Sequence, residues 1–162
     1  MWLSDRRAFL FSALAIAGCG FTPVYGPGGG GSRLQDAVLV DVPSDRDAYL
    51  LTQQLDHRLG RADTPRYGLS YALTVGEERM AITANNITTR FNVVGSATYA
   101  LRDLDSGAVL TSGTVDSFTG YGADDTTVAT LSAGRDARSR LMIILADQIT
   151  TRLLAYAPDL PA

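Results

Sequence analysis

From Tyr67 onward apolar residues fall on every second position: Tyr67, Leu69, Tyr71, Leu73 and Val75 alternate with Gly68, Ser70, Ala72 and Thr74. A period of two turns one side of a chain inward only if that chain is extended, so the segment is predicted to be a half-buried strand. Ala81 to Ala84 continues it past a bulge expected near Gly76. Asn85-Asn86 is the expected hairpin tip, since Asn tolerates left-handed backbone. The chain then returns with Thr89, Phe91, Val93, Gly95, Ala97, Tyr99 and Leu101 on one face. Asp103-Leu104-Asp105-Ser106-Gly107 reads as a second turn, and a third strand follows from about Val109 to Phe118. Three long antiparallel strands in sequence make a meander with one apolar face to cover.

The flanking segments supply the cover. Ala37 to Val42 is a short apolar run ended by Pro43, a fourth strand. Ser44-Asp45-Arg46-Asp47 resembles a capping box with Ser44 at the N-cap. Ala48, Leu51, Leu55 and Leu59 then recur at helical spacing and Gly60 stops them, predicting a helix over about 45 to 59. Gly120-Tyr121-Gly122 breaks the strand pattern. From about Asp125 to Tyr156 the chain reads as helix, with Gly134 a candidate interruption, and Leu141, Ile144, Leu145, Gln148, Ile149, Arg152 and Leu153 track its inner face. The element order βαβββα implies an α+β fold, a two-layer sandwich of a four-stranded mixed sheet with two helices on one face. Leu55 and Leu145 are expected in its core.

The first residues follow a different logic. A charged start with Arg6-Arg7 precedes an apolar run from Ala8 to Ala17, about half of the roughly 20 residues that span a bilayer. The run closes on Ile16-Ala17-Gly18-Cys19, which resembles the bacterial lipobox, and Cys19 is the only cysteine in the chain, so no disulfide competes for it. Residues 1–18 are therefore expected to be a lipoprotein signal peptide and Cys19 the lipidated residue. Residues 19–36, with the flexible spacer Gly28-Gly29-Gly30-Gly31-Ser32, read as a tether, residues 37–157 as the folded domain and 158–162 as a short polar tail. Several acyl chains on one cysteine hold a membrane where one chain would not. Arg6-Arg7-Ala8-Phe9-Leu10 also resembles a twin-arginine export signal, which leaves the export route open. Gly20, where inner-membrane lipoproteins of the enterobacterial type carry Asp, favours the periplasmic side of the outer membrane.

Removing the first 18 of the 162 residues leaves 144, one domain's worth with room for a sizeable core. A net charge of −3 with no basic run argues against a nucleic-acid partner. His57, the lone histidine, sits beside Asp56 on the polar side of the first helix, and no Gly-x-Ser-x-Gly elbow offers it a nucleophile. Asp103-x-Asp105-x-Gly107 lacks the further ligands of a calcium loop. No enzyme activity, metal or cofactor is expected.

What remains is the sheet face turned from the helices: Ser70, Ala72, Thr74, Asn92, Ser96, Thr98, Ser112 and Thr114. Small uncharged polar groups can dock on another polar wall at little desolvation cost if their hydrogen bonds are replaced. The start Cys19-Gly20-Phe21-Thr22-Pro23-Val24-Tyr25-Gly26, the element order and the stretches Asp136-Ala137-Arg138 and Ala146 to Leu153 resemble the LPS-assembly lipoprotein (LptE) family. That resemblance implies a plug and assembly partner seated in the β-barrel translocon (LptD-like) that inserts lipopolysaccharide into the outer leaflet, with Ser96, Thr98, Ser112 and Thr114 as barrel contacts. The resemblance also implies, for some family members, positive residues around the middle hairpin and the second helix that engage lipopolysaccharide phosphates; here Arg79 and Arg90 stand nearest the hairpin, and its tip from Ala81 to Ile87 carries none. An auxiliary lipoprotein of an intermembrane lipid transporter is the alternative class.

Overall fold

The computed structural model describes residues 26, 30–82, 88–123 and 126–161. The expected signal peptide, Cys19 and the hairpin tip at Asn85-Asn86 lie outside them. Four strands, β1 (Val38–Val40), β2 (Tyr67–Ile82), β3 (Thr88–Asp103) and β4 (Val109–Gly122), form one sheet in sequential order. Strand β1 runs parallel to β2, and the β2–β3 and β3–β4 pairs are antiparallel. Two helices, α1 (Arg46–Leu59) and α2 (Thr127–Tyr156), complete the α+β architecture.

The alternation works as the strand pattern requires. Tyr67, Leu69, Val93, Ala97, Tyr99, Leu101 and Val115 are buried on the helix side. Against them α1 sets Ala48, Leu51, Leu55 and Leu59, and α2 sets Ala137, Leu141, Leu145, Ile149 and Leu153. Met142, Ala146 and Thr150 are buried too, a wider stripe than the sequence implied. The reason is that α2 touches both the sheet and α1. The two helices are pinned by Arg58 to Asp147 at 2.6 Å and Arg138 to Asp47 at 3.0 Å.

Five local expectations are corrected. The N-cap of α1 is Asp45, not Ser44: its Oδ1 accepts from the Ala48 N–H at 2.8 Å, a charged acceptor being the better partner for a free helix amide. Helix α2 passes through Gly134 without a break. That glycine sits against the Tyr121 ring, and a Cβ there would lie 3.4 Å from the ring carbon, so the residue serves close approach rather than a stop. Strand β4 continues through Gly120-Tyr121-Gly122, because Tyr121 stacks on Phe91 at 5.2 Å and is paired across from it. The β2 register is unbroken at Gly76 and shifts only between Arg79 and Ile82.

The fifth correction concerns both ends of the domain. The sequence reads residues 19–36 as a flexible tether and 158–162 as a short polar tail outside the folded domain. Instead Gly30–Arg33 and Ala157–Asp159 are 3-10 turns packed on each other. Leu34 and Leu160 are buried at 0% and 4% exposure, and Arg33 Nη1 donates to the Leu160 carbonyl at 2.9 Å. A Cβ on Gly30 would come within 2.6 Å of the Ala157 and Pro158 backbone, so only glycine allows the turns to touch. Apolar burial outweighs the flexibility that the glycine tract suggests.

Candidate functional site

With the helices on one face of the sheet, the other is left to solvent. The register sets its residues in rows across β2, β3 and β4: Ser70, Ala100 and Ser112; Ala72, Thr98 and Thr114; Thr74, Ser96 and Asp116; Gly76, Val94 and Phe118. All four candidate barrel contacts therefore share this face. Thr98, Ser112 and Thr114 are exposed and Ser96 is half-buried. The Thr98 and Thr114 hydroxyl oxygens lie 3.0 Å apart, and Ser70 Oγ donates to the Ala100 carbonyl at 3.3 Å. Hydroxyls that already hold partners on their own sheet lose little when water leaves.

Sequence reasoning missed the apolar part of this surface. Beyond the hydroxyl rows Val94, Phe118 and Met80 make an apolar area, with Phe118 64% and Met80 55% exposed. Val94 and Phe118, with Thr74, Gly76, Ser96 and Asp116, edge a shallow depression of about 510 Å³, and Met80 lines a neighbouring one with Arg90 and Asn92. Asp116 adds a carboxylate to a face read as uncharged. The signal was present in the parity of β4: Val115 points inward, so 114, 116 and 118 must point out.

Arg79 and Arg90 flank the hairpin as expected, both exposed. The structure does not bring them together. Arg79 is opposite Phe91 on the helix-side parity, whereas Arg90 pairs with Gly122 and lines the outer face with Met80, Asn92 and Phe118. On the helix side Arg138 Nη2 is 3.7 Å from Glu77 as well as bound to Asp47. Burial, and then the Glu77 carboxylate, push the Tyr121 phenol above its ordinary range.

The two free sides of the sheet differ. Along β4 the carbonyls of Thr114, Asp116 and Gly120 accept from Arg152 Nη1 at 2.8 Å, Gln148 Nε2 at 3.4 Å and Arg140 Nη2 at 3.4 Å. Helix α2 thus leans three side chains over that edge. Strand β1 covers the other edge only from Tyr67 to Leu69. His57 is exposed on α1, lining a separate groove with Tyr49, Asp56 and Arg61. Among the described residues no group of three His, Cys, Asp or Glu side chains is placed to hold a metal, and no helix is long and apolar enough to cross a membrane.

The comparisons with known proteins fall on this same domain. A family model described as LptE, Lipopolysaccharide-assembly, matches residues 36–153. A protein of Caulobacter crescentus CB15 proposed to be a lipoprotein is 26% identical at a TM-score of 0.65, covering 79% of this chain and 96% of that one. Rare lipoprotein B of Shewanella oneidensis is 10% identical at 0.57, over 74% and 92% of the two chains. A minor lipoprotein of Acinetobacter baumannii is 17% identical at 0.52, over 74% and 91%, and these last two speak for the fold alone. No curated protein matches.

Proposed function

The chain belongs to the LptE lipopolysaccharide-assembly family, and from that premise we propose that it is an outer-membrane lipoprotein, anchored through Cys19 on the periplasmic side, which plugs and helps assemble the β-barrel that inserts lipopolysaccharide. The domain follows a signal peptide over residues 1–18 and a tether that starts at Cys19. The reading is of a structural partner and not an enzyme.

One observation carries it: the outer sheet face from Ser70 to Asp116 sets small, mostly polar side chains in rows across three strands, with the Thr98 and Thr114 hydroxyls 3.0 Å apart and Ser70 bonded to the Ala100 carbonyl. Barrel lumens are themselves polar. Hydroxyls that hold partners on their own sheet, as those of Ser70, Thr98 and Thr114 do, can be pressed on such a wall at little cost, and the remaining ones find partners on the polar wall itself. Contact is spread over Ser96, Thr98, Ser112 and Thr114, so no single residue dominates. Of the two hairpin arginines Arg90 is the one on this face, and it is the better placed to donate to a lipopolysaccharide phosphate. Arg79, on the opposite parity, reaches only a ligand on the helix side.

Photo-crosslinkers at Thr98 and Ser112 test the reading. Capture of the inner wall of the barrel is expected, together with lower levels of assembled barrel and a leakier outer membrane on depletion. Crosslinkers that capture nothing while the barrel assembles normally would overturn it. Mass spectrometry of the N-terminus should show acylated Cys19, and an unmodified cysteine would remove the anchor.

A further inference from the structure

In a strand each residue sends its N–H and C=O to the same side, and successive residues alternate sides. The Tyr67 N–H donates to the Ala37 carbonyl and the Leu69 carbonyl accepts from the Asp41 N–H, both at 3.0 Å. Odd-numbered residues of β2 therefore face β1, and even-numbered ones face β3. Past Asp41 the chain leaves the sheet for α1. Tyr71, Leu73, Val75 and Glu77 keep presenting N–H and C=O to the same side, where no described residue pairs with them.

This gap is not the usual state of a strand edge in this molecule. Exposed edges invite other chains, and proteins blunt them. On β4 the blunting is done by Arg140, Gln148 and Arg152. On β2 the stretch Tyr71-Ala72-Leu73-Thr74-Val75-Gly76 has no charge, and charged residues begin only at Glu77-Glu78-Arg79. Among the described residues one edge is closed and the other is left open over about 20 Å, six steps of about 3.3 Å.

We infer that the β2 edge from Tyr71 to Glu77 takes up an extended segment of the barrel partner as an added strand, in the slot that β1 vacates at Asp41. This deepens the plug reading and rests on it. Backbone donors and acceptors in alternation are matched in register, both kinds at once, by another extended backbone. The side chains fix the character of the segment. Leu73 and Val75, half-buried on the helix side, call for apolar neighbours there, and the exposed Ala72 and Thr74 call for small or polar ones on the other face. A segment of about seven residues alternating apolar and polar meets both demands, and since the wall strands of a closed barrel already pair on both sides, it is a loop or terminal segment of the barrel chain that supplies it.

The experiment is amide exchange on the 15N-labelled full chain, free and in the purified complex with the barrel. The complex is exposed to deuterated buffer, dissociated, and read by NMR. The amides of Tyr71, Leu73, Val75 and Glu77 are expected to exchange at least about a hundredfold more slowly in the complex, and those of Ala72, Thr74 and Gly76 to be protected in both states. Leu73→Pro removes one outward N–H while sparing the β3 ladder, and it should weaken the complex while Thr98 still crosslinks to the wall. A complex that forms normally with the odd-numbered amides exchanging as in the free chain overturns the added strand and leaves the plug reading intact. A chain that forms no complex overturns both. Protection that grows with concentration in the free chain assigns the edge to a second copy and overturns the barrel segment.

Discussion

Thr98 and Thr114 face each other across β3 and β4 with their hydroxyl oxygens 3.0 Å apart, a cross-strand pair in which each side chain supplies the other's hydrogen bond. Thr98→Ala should cost only about 0.2–1 kcal/mol, the worth of such a pair, and leave the barrel complex in place. Thr98→Arg stands on an exposed position, so it should spare the fold and abolish co-purification with the barrel by blocking close approach. Thermal denaturation and membrane affinity purification read the two effects separately, and normal co-purification of Thr98→Arg would take this face out of the contact.

Leu55 and Leu145 are both fully buried, one on each helix. Leu→Ala at either position should lower stability by about 2–5 kcal/mol in urea titration, the range for a buried leucine that leaves a cavity. Values near zero at both would mean that the helices do not pack on the sheet as described.

The Tyr71 phenol joins α1 to the sheet: it donates to the Ala48 carbonyl at 3.1 Å and stands 2.7 Å from the Thr52 hydroxyl. Burial, the largest cause, raises its pKa against the lowering effect of Thr52. A raised value in the folded state means that the unfolded chain ionises first. The contribution of Tyr71 is therefore whole below about pH 10 and is lost as pH climbs through the folded value. Stability followed above pH 10 should fall less steeply in Tyr71→Phe, which at neutral pH should already be weaker by about 0.5–1.5 kcal/mol.

Asp103 behaves in the opposite sense. Its carboxylate accepts from the Ser106 N–H and hydroxyl, each at 2.8 Å, and the backbone bond is the first cause of a lowered pKa. Its contribution is present above the usual carboxylate range and is lost as pH falls through the lower folded value. Asp103→Asn should flatten that acid limb, and an unchanged acid transition would show that the turn does not depend on the charge.

Much of this architecture was legible because periodicity is a local property. The two-residue alternation from Tyr67 and the spacing of Ala48, Leu51, Leu55 and Leu59 each name a buried face without knowledge of the rest. Three kinds of feature were not legible. Gly134 and Gly30 owe their roles to what stands opposite, the Tyr121 ring and the Ala157 backbone, and a lone sequence does not say what stands opposite. The membership of the outer face depended on carrying strand parity past Gly113 to Asp116 and Phe118. The closing of the β4 edge by Arg140, Gln148 and Arg152 joins residues 20 to 38 positions apart, whose spacing along α2 reads only as a polar margin. For the candidate contacts the sequence was a good guide to which residues share a face, and a poor one to Arg79 and Arg90. Their proximity in the chain says nothing of the bulge and alternation that send them to opposite sides.

The clasp between Gly30–Arg33 and Ala157–Asp159 has a mechanical consequence. It lies beside the start of β2, where Arg66 Nη2 donates to the Pro161 carbonyl at 3.2 Å, and the far end of that strand at Ile82 is roughly 50 Å away, sixteen residues at about 3.3 Å each. A load arriving from the N-terminal side meets the buried Leu34 and the Arg33 bond to Leu160 before it meets any strand of the sheet. The domain is thus held by its heel. A pull on the N-terminal segment would therefore load two short turns in contact with each other before it loads the sheet.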